Sequence, residues 1–242
     1  MSKPRATGNR PAPEAAGAIA SKAGRGRRSG AAPLNRERIV DAALALIERD
    51  GLEAFSTRNL GRELGCEAMS IYHFFPSKQH LVDALVDRAI GSLEFADERL
   101  PAAQRMRAVS LAYRKMAHRY AKLFPIIALH RLNTETGVRV IEKLLRIAKE
   151  ATGDDELAAR YFRTLGYYLM GAGLDETAGY AKGPSAAEPV SSEFIERECP
   201  QLARSARFFQ RAQWDATFAL GLEAMLAGLA PRRKRGRARS GR

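Results

Sequence analysis

The sequence has few cysteines, a single tryptophan and no long uncharged run. Its 242 residues include two cysteines, Cys66 and Cys199, which lie far apart and have no histidine at the spacing of metal ligands. Scattered thiols of this kind are typical of a reduced compartment and argue against a disulfide-dense scaffold. We therefore expect a cytoplasmic protein with no metal site and no cofactor.

The longest stretch without a charged residue runs from Thr164 to Leu174. Its eleven residues fall well short of the roughly 20 that a membrane-spanning helix needs. The basic amino-terminal segment has no apolar core like that of a signal peptide, because the run from Ala15 to Ala20 is made of small residues and is interrupted by Gly17. Neither a transmembrane helix nor secretion is expected.

Acidic residues are nearly absent from the two ends of the chain, where basic residues gather. Residues 1–33 hold seven Lys or Arg and one Glu, and residues 231–242 hold seven Lys or Arg and no acid. These ends carry the whole formal net charge of +13, so residues 34–230 are formally neutral. Such ends cannot bury enough apolar surface to fold, and they suggest a polyanionic partner. We predict a disordered basic arm over 1–33 and a disordered basic tail over 231–242.

The middle of the chain shows helical periodicity and no run of alternating apolar and polar residues. Apolar residues after Asn35 recur at helical spacing as far as Ile47, and Gly51 follows in the position that ends many helices. The sequence therefore predicts an all-α protein. Helices are predicted from Asn35 to Gly51, from Ser56 to Gly65, from Ala68 to Phe74 or Phe75, from Lys78 onward, and at about 102–121, 124–131, 134–151, 155–180 and 203–229.

The stretch from Ser56 to Lys78 has the pattern of a helix-turn-helix. Gly65 permits a tight turn, Ile71 and Phe75 share the inner face of the second short helix, and Pro76 prevents that helix from continuing. We interpret the second short helix as the element that enters the major groove of DNA. Its outward face presents Ala68, Met69, Ser70, Tyr72 and His73.

The segment from Arg36 to Ile90 resembles the DNA-binding domain of the tetracycline-repressor (TetR) family of transcriptional regulators. The resemblance rests on RERIVDAALALIERDGLEAFSTRNLGRELG followed by AMSIYHFFPSKQHLVDAL, which place a glycine turn, an Ile-Tyr pair, an aromatic close and a Pro-Ser-Lys restart at set spacings. It implies an N-terminal helix-turn-helix domain over 34–90 and a helical ligand-binding and dimerisation domain over 91–230. Cys66-Glu67 and Phe74 depart from the residues usual in this family.

The family motif implies a set of DNA contacts. Thr57, Tyr72 and Lys78 are expected to bind phosphates, and Arg58 is the candidate for a bidentate contact to guanine, worth about 1 to 3 kcal/mol of discrimination. The residues expected to face bases are Ala68, Met69, Ser70 and His73. Because residues 34–90 hold seven basic and nine acidic residues, we expect the basic ends to contribute to general attraction to DNA.

The C-terminal half offers amphipathic side chains that suit a mostly apolar cavity with a few hydrogen bonds. Each of them would also fit an ordinary core position. They predict a small apolar or amphipathic effector. The candidate ligand-binding residues are Tyr113, Met116, His130, Tyr167 and Met170.

Two apolar stripes at helical spacing are candidates for a dimer interface, as four helices packed across a symmetry axis. The resemblance also implies a homodimer. The alternative, which the pattern leaves open, is that both stripes serve the core within one chain. The residues concerned are Tyr161, Leu165 and Tyr168 in one helix, and Trp214, Phe218, Leu222 and Met225 in the last helix.

Taken with the resemblance, these patterns predict a ligand-responsive transcriptional regulator, in this family most often a repressor, which binds a near-palindromic double-stranded DNA operator as a homodimer. A sequence-nonspecific, nucleoid-like DNA-binding protein driven by the basic ends is the alternative. A second alternative is an enzyme or a ligand-sequestering protein on the same fold. We find no nucleophile and base at a meaningful spacing, no paired carboxylates and no phosphate-binding glycine loop, so we assign no catalytic residue.

Overall fold

The computed structural model describes residues 33–179, 183 and 186–229. These residues form α-helices joined by turns and short 3₁₀ segments, with no strand among them, and the all-α prediction is confirmed. The predicted basic arm, apart from Pro33, and the predicted tail lie outside the described residues. The helices are α1 (Arg36–Asp50), α2 (Thr57–Leu64), α3 (Ala68–Tyr72), α4 (Lys78–Gly91), α5 (Ala102–Arg119), α6 (Phe124–Leu129), α7 (Glu135–Thr152), α8 (Asp155–Thr177), α9 (Ser192–Glu198), α10 (Pro200–Ser205) and α11 (Trp214–Ala227).

Capping side chains determine where the first helices begin. The Asn35 side chain accepts a hydrogen bond from the Arg38 amide at 2.8 Å, and the Ser56 hydroxyl accepts one from the Asn59 amide at 3.1 Å. Each bond satisfies an amide that has no partner inside its helix. α2 stops where Gly65 adopts the left-handed conformation with φ 67°, which glycine reaches without a steric penalty.

α2 and α3 approach each other closely because α2 carries a glycine at their contact. A Cβ at Gly61 would lie 2.8 Å from the carbonyl oxygen of Cys66. α3 is two or three residues shorter than predicted, because the amides of both Phe74 and Phe75 bond to the Ile71 carbonyl and tighten the chain ahead of Pro76. The predicted helix-turn-helix is present, with a recognition helix of five residues.

The helix-turn-helix shares a hydrophobic core with α5 and α6. Ile39, Phe75 and Leu85 belong to the same buried cluster as Met116 of α5 and Phe124 of α6. A close-packed core transmits a shift of one element to its neighbours, so a shift of α6 is expected to affect the other helices that share this core. The predicted domain boundary at residue 90 falls at the end of α4, and the domain limits stay a prediction.

A second hydrophobic core joins α5, α7, α8 and α11. Met106, Ile147, Leu165 and Leu222 are buried in it, one from each of these helices. Long helices with one apolar stripe each bury those stripes against one another in this way. The core of this helix bundle contains no residue of α1 to α4, although α5 contributes to both cores.

The last part of the chain differs from the prediction of one helix over about 203–229. α10 ends at Ser205, two 3₁₀ segments follow at Ala206–Phe208 and Arg211–Gln213, and α11 begins at Trp214. The helix is interrupted because Gln210 has an extended backbone, with ψ 152°, and the amides of Phe209 and Gln213 bond three residues back. α9 was not predicted at all.

Replacing Phe75 with alanine tests the shared core. The Phe75 side chain is 1% exposed, and we expect Phe75→Ala to lower the free energy of unfolding by about 3 to 5 kcal/mol through lost burial and a residual cavity. Phe208→Ala is the matched control, because that ring is 51% exposed and its loss should cost about 0.5 kcal/mol or less. Urea denaturation followed by circular dichroism measures both, and equal losses would contradict the assignment of Phe75 to the core.

Candidate DNA-binding surface and effector region

The outer surface of α2 and α3 brings together side chains that the sequence assigned to DNA. The hydroxyl groups of Thr57 and Tyr72 lie 3.4 Å apart, although they are 15 residues apart in the chain. Met69 is 65% exposed, and His73 is exposed as well. Two neutral hydroxyl donors side by side, next to an exposed helix, are suited to hydrogen bonds with backbone phosphates. Ala68 and Ser70 are only half-buried neighbours of this surface.

Lys78 at the first turn of α4 joins this surface from the other side. Its ammonium group donates a hydrogen bond to the Phe55 carbonyl oxygen at 3.2 Å and lies 5.1 Å from the centre of the Phe55 ring. Phe55 directly precedes Ser56, the N-cap of α2, so the bond holds the Lys78 charge close to the start of α2. The helix-turn-helix therefore presents a positive charge near the Thr57 hydroxyl.

Arg58 extends from the same turn of α2. It is exposed, and within the described part of the chain it has no ion-pair partner. Arg49, by contrast, is engaged by Asp50 and Glu63, whose hydrogen bonds raise the pKa of its guanidinium above the ordinary value. Arg62, the other arginine of α2, donates to the Asn59 side chain, so Arg58 is the arginine of α2 whose donors remain available for a base edge.

Most carboxylates of the acidic N-terminal helices are bonded to groups within the chain. Those with a hydrogen-bond or ion-pair partner are Asp41, Glu48, Asp50, Glu63, Asp83 and Asp87. Of these, Asp41, Asp50 and Glu63 form ion pairs with arginines of the same domain, and a paired charge repels a phosphate less than an unpaired one does. Glu67, the N-cap residue of α3, makes no capping hydrogen bond with its side chain, as expected of a glutamate at that position.

Family models match most of the described chain. The model of bacterial regulatory proteins of the tetR family matches residues 39–85, and the tetracyclin repressor-like C-terminal domain matches residues 100–233. The second match alone spans more than half of the chain. The chain belongs to the TetR family.

Individual TetR relatives agree with this assignment. The class A tetracycline repressor from transposon 1721 of Escherichia coli is 28% identical over 205 residues, which are 81% of this chain and 90% of that repressor. The repressor DrrR1 of Streptomyces coeruleorubidus is 39% identical over 66 residues, or 26% of this chain and 24% of DrrR1. ActR from Streptomyces coelicolor, solved with actinorhodin, has a TM-score of 0.67 and 25% identity, covering 82% of this chain and 97% of ActR.

Membership of the TetR family identifies the chain as a ligand-responsive DNA-binding transcriptional regulator. The comparisons do not support the nucleoid-like alternative. Nothing in them points to catalysis. Among the described residues, no helix has the length and apolar character needed to cross a bilayer, and no group of three or more His, Cys, Asp or Glu is placed to hold a metal ion.

The candidate effector residues of this TetR protein are not gathered around one site. Met116 is buried, and Tyr113 packs edge-on against Phe124 with 5.8 Å between ring centres. Burial raises the pKa of the Tyr113 hydroxyl to about 12, so that group stays a neutral donor at physiological pH. Phe124 fills the space beside Gly173, where a Cβ would lie 2.4 Å from the ring. These side chains form part of the first core.

The other candidate effector residues lie elsewhere. Tyr167 is 59% exposed and accepts a hydrogen bond from Arg163 at 3.1 Å, and its role as a ligand contact stays a prediction. It points outward because it lies on the face of α8 opposite the buried Leu165. Met170 is half-buried and belongs to neither core.

His130 connects the C-terminal half of the chain to α4, which follows the two DNA-reading helices. Its Nε2 lies 2.9 Å from the Asp83 carboxylate on α4, and Thr134 donates a hydrogen bond to Asp87 one turn later. Burial opposes ionisation of Asp83, but hydrogen bonds from His130 and Gln79 hold the pKa of that carboxyl below its usual range. Both ends of the link between α6 and α7 are thus tied to α4.

The C-terminal half contains a buried ionic network around Glu176 that the sequence did not predict. Arg114 donates to both carboxylate oxygens of Glu176 at 2.7 and 2.9 Å, and His118 Nε2 lies 2.7 Å from the same carboxylate. Arg114 also bonds to Asp215 at 2.8 Å, so the network ties α5, α8 and α11 together. Burial opposes the Arg114 charge, but these carboxylates raise the pKa of its guanidinium. Sequence spacing gave no signal, because Glu176 lies 62 residues from Arg114.

The predicted dimer stripes face each other within one chain. The Tyr168 hydroxyl donates to the Phe218 carbonyl at 2.6 Å, and the Tyr161 hydroxyl donates to the Met225 carbonyl. The part that this set plays in a dimer interface stays a prediction, while within the chain the stripe of α8 and the stripe of α11 close over a common core. Its members are Tyr161, Leu165, Tyr168, Phe218, Leu222 and Met225, while Trp214 donates its indole N–H to the Phe209 carbonyl.

Removing Arg114 tests the buried network. Glu176 is 8% exposed, so Arg114→Met leaves a buried carboxylate without its main partner and should lower the free energy of unfolding by about 3 to 5 kcal/mol. Arg107→Met is the control, because Arg107 lies on the same helix, α5, and pairs in solvent with Glu223 of α11, and it should cost about 1 kcal/mol or less. Thermal and urea denaturation measure both variants. Similar losses in the free energy of unfolding for the two variants would show that the buried network stabilises the fold no more than an exposed ion pair does.

Proposed function

We propose that the protein is a homodimeric repressor that reads a near-palindromic operator and is released by a small apolar or amphipathic effector. The observation that carries the proposal is the pairing of the Thr57 and Tyr72 hydroxyls across a helix-turn-helix of the TetR family, with Lys78 bonded to Phe55 just before α2 and Arg58 exposed on α2. The reading surface, the outer faces of α8 and α11, and α4 each have a separate role in this function.

The reading surface divides into positioning and recognition. Thr57 and Tyr72, with hydroxyl groups 3.4 Å apart, donate to phosphate oxygens, and Lys78 adds a positive charge beside them. Arg58 reads a guanine through its two parallel donors. Met69 meets an apolar base edge such as the thymine methyl group, and the remaining contacts within reach of the groove come from Ala68, Ser70 and His73.

Dimerisation through the outer faces of α8 and α11 suits the exposed surface of these helices. α11, WDATFALGLEAMLA, carries only Asp215 and Glu223 as charged residues, and a helix that is apolar all round is normally covered on all sides. Its outer face exposes Leu220, at 75%, between small residues. On α8, the positions of Gly166 and Gly171 have open space around them, which lets a second backbone approach closely.

Effector control acts through α4. The effector binds in the C-terminal half, as supported by the names of the tetracycline repressor relative and of the ActR complex with actinorhodin. Repacking there shifts α6, and the bonds of His130 to Asp83 and of Thr134 to Asp87 carry the shift to α4 and so to the reading helices. The coupling between effector and operator is expected to be on the order of 1 to 3 kcal/mol.

Arg58 provides the test of base reading. With an operator obtained by selection from random DNA with the purified protein, Arg58→Ala should weaken binding by about 1 to 3 kcal/mol and relax preference at one base position in each half-site. Arg62→Ala is the matched control, because Arg62 lies on the same helix and bonds to Asn59. Binding curves and footprints on matched and substituted operators report the result. An unchanged base preference in Arg58→Ala would sink the assignment.

Leu220 provides the test of the dimer surface. Leu220→Arg places a charge at the centre of the proposed interface, and we expect a monomer in light scattering together with loss of operator binding. Leu111→Arg is the control, since Leu111 is an exposed leucine on α5, and this variant should remain dimeric. A dimer that persists in Leu220→Arg would place the interface elsewhere.

A further inference from the structure

A groove of about 420 Å³ lies between α9, α10 and the start of α11, away from the candidate effector residues. This volume falls within the range of about 300 to 1,000 Å³ that small-molecule sites occupy. The groove is open to solvent and has apolar walls. The side chains that form them are Ile195, Leu202, Ala206, Phe209 and Trp214.

The segment that forms the groove stands apart from the two cores of the protein. None of residues 186–213 belongs to either hydrophobic cluster. Its shape is held by local bonds, since the Ser191 hydroxyl caps α9 by accepting from the Phe194 amide at 3.2 Å and the Trp214 indole donates to the Phe209 carbonyl at 3.3 Å. The groove is therefore built by its own segment rather than by a gap between packed helices.

The lining of the groove carries one positive charge and no negative charge. Arg211 is the one lining residue with a formal charge, and its guanidinium lies 5.7 Å from the centre of the Trp214 ring. Gln210 adds an amide that can donate a hydrogen bond. Aromatic walls with a cation at their edge recognise a ring that carries an anionic substituent, because the ring stacks while the substituent pairs with the guanidinium.

We propose that this groove is a second ligand site, which binds a flat aromatic molecule with one negative charge, such as an aromatic carboxylate or sulfonate. Trp214 and Phe209 contact the ring, Leu202 and Ala206 line the groove beside it, and Arg211 pairs with the anion. The site goes beyond the proposed function, since operator reading and effector control as described above do not require it. It would let the regulator respond to an anionic aromatic compound at the start of α11.

The protein carries its own reporter for this site, because Trp214 is its single tryptophan. Titration of the full-length protein with 1-anilino-8-naphthalenesulfonate, an anionic aromatic probe, should quench Trp214 emission with energy transfer to the probe, saturating at one probe per chain. Arg211→Gln should weaken this binding about threefold, the size expected of an exposed ion pair. Arg207→Gln is the matched control, because Arg207 stacks on Phe208 and does not line the groove, and it should bind the probe like the unaltered protein.

Two further measurements complete the test. Ala206→Phe fills the groove from an exposed position and should weaken probe binding by about tenfold or more, with operator binding and dimer mass unchanged. N-phenyl-1-naphthylamine, a neutral analogue, should bind more weakly than the sulfonate and be insensitive to Arg211→Gln.

Several results would overturn the proposal. These are the absence of saturable quenching, equal effects of Arg211→Gln and Arg207→Gln, and equal affinity for the neutral and anionic probes. A change of oligomeric mass in Ala206→Phe would mean that a second copy of the chain covers the groove instead. Operator binding, measured in parallel, keeps a failure of this site distinct from a failure of the DNA-reading assignment.

Discussion

The position of α4 is the constraint on which the rest of the structure depends. Its inner face buries Leu81 and Leu85 in the core shared by the reading helices and α5–α6, and its outer carboxylates, Asp83 and Asp87, bond to the link between α6 and α7. One helix is thus held by apolar packing on one side and by directed hydrogen bonds on the other. Because close-packed interfaces switch between discrete arrangements rather than deform gradually, the proposed signal from the effector half to DNA is a repacking around α4.

For attraction to DNA, the location of each charged side chain in this molecule matters more than the net charge of the domain. The reading domain is formally acidic, yet its acidic side chains are largely bonded inside the chain, as Arg49 with Asp50 and Glu63 illustrates. Arg58 and Lys78 stand on the reading face. An exposed charge acts over about a Debye length, roughly 8 to 10 Å in physiological salt. The few cations at the surface therefore affect the local potential more than the net charge of the whole domain does.

In the C-terminal half, the apolar faces of α8 and α11 that pack in the core leave only the opposite faces for other contacts. Because the stripes of α8 and α11 close a core within the chain, we propose that a second subunit packs on the opposite face, around the exposed Leu220. The network of Arg114 and Glu176 sits at the same junction and holds α5, α8 and α11 in register. The segment before Trp214 is left out of both cores and forms a groove of its own.

Local patterns were sufficient for the DNA-reading half. Capping residues, the left-handed Gly65 and the inward phase of Ile71 and Phe75 depend on neighbours within one or two turns, so the sequence alone determined the helix starts, the turn and the exposure of Met69, Tyr72 and His73. Even here the end of α3 was misjudged, because both Phe74 and Phe75 amides fold back to the Ile71 carbonyl.

Tertiary structure alone decided which apolar faces meet and which polar groups pair. An amphipathic stripe has the same pattern whether it packs within a chain or against a second copy, and so Leu165 and Phe218 were predicted as interface and found in a core. Glu176 with Arg114, and Asp83 with His130, are 62 and 47 residues apart in the chain. No local pattern records such pairs, because their distance is set by how the helices pack and not by the residues between them.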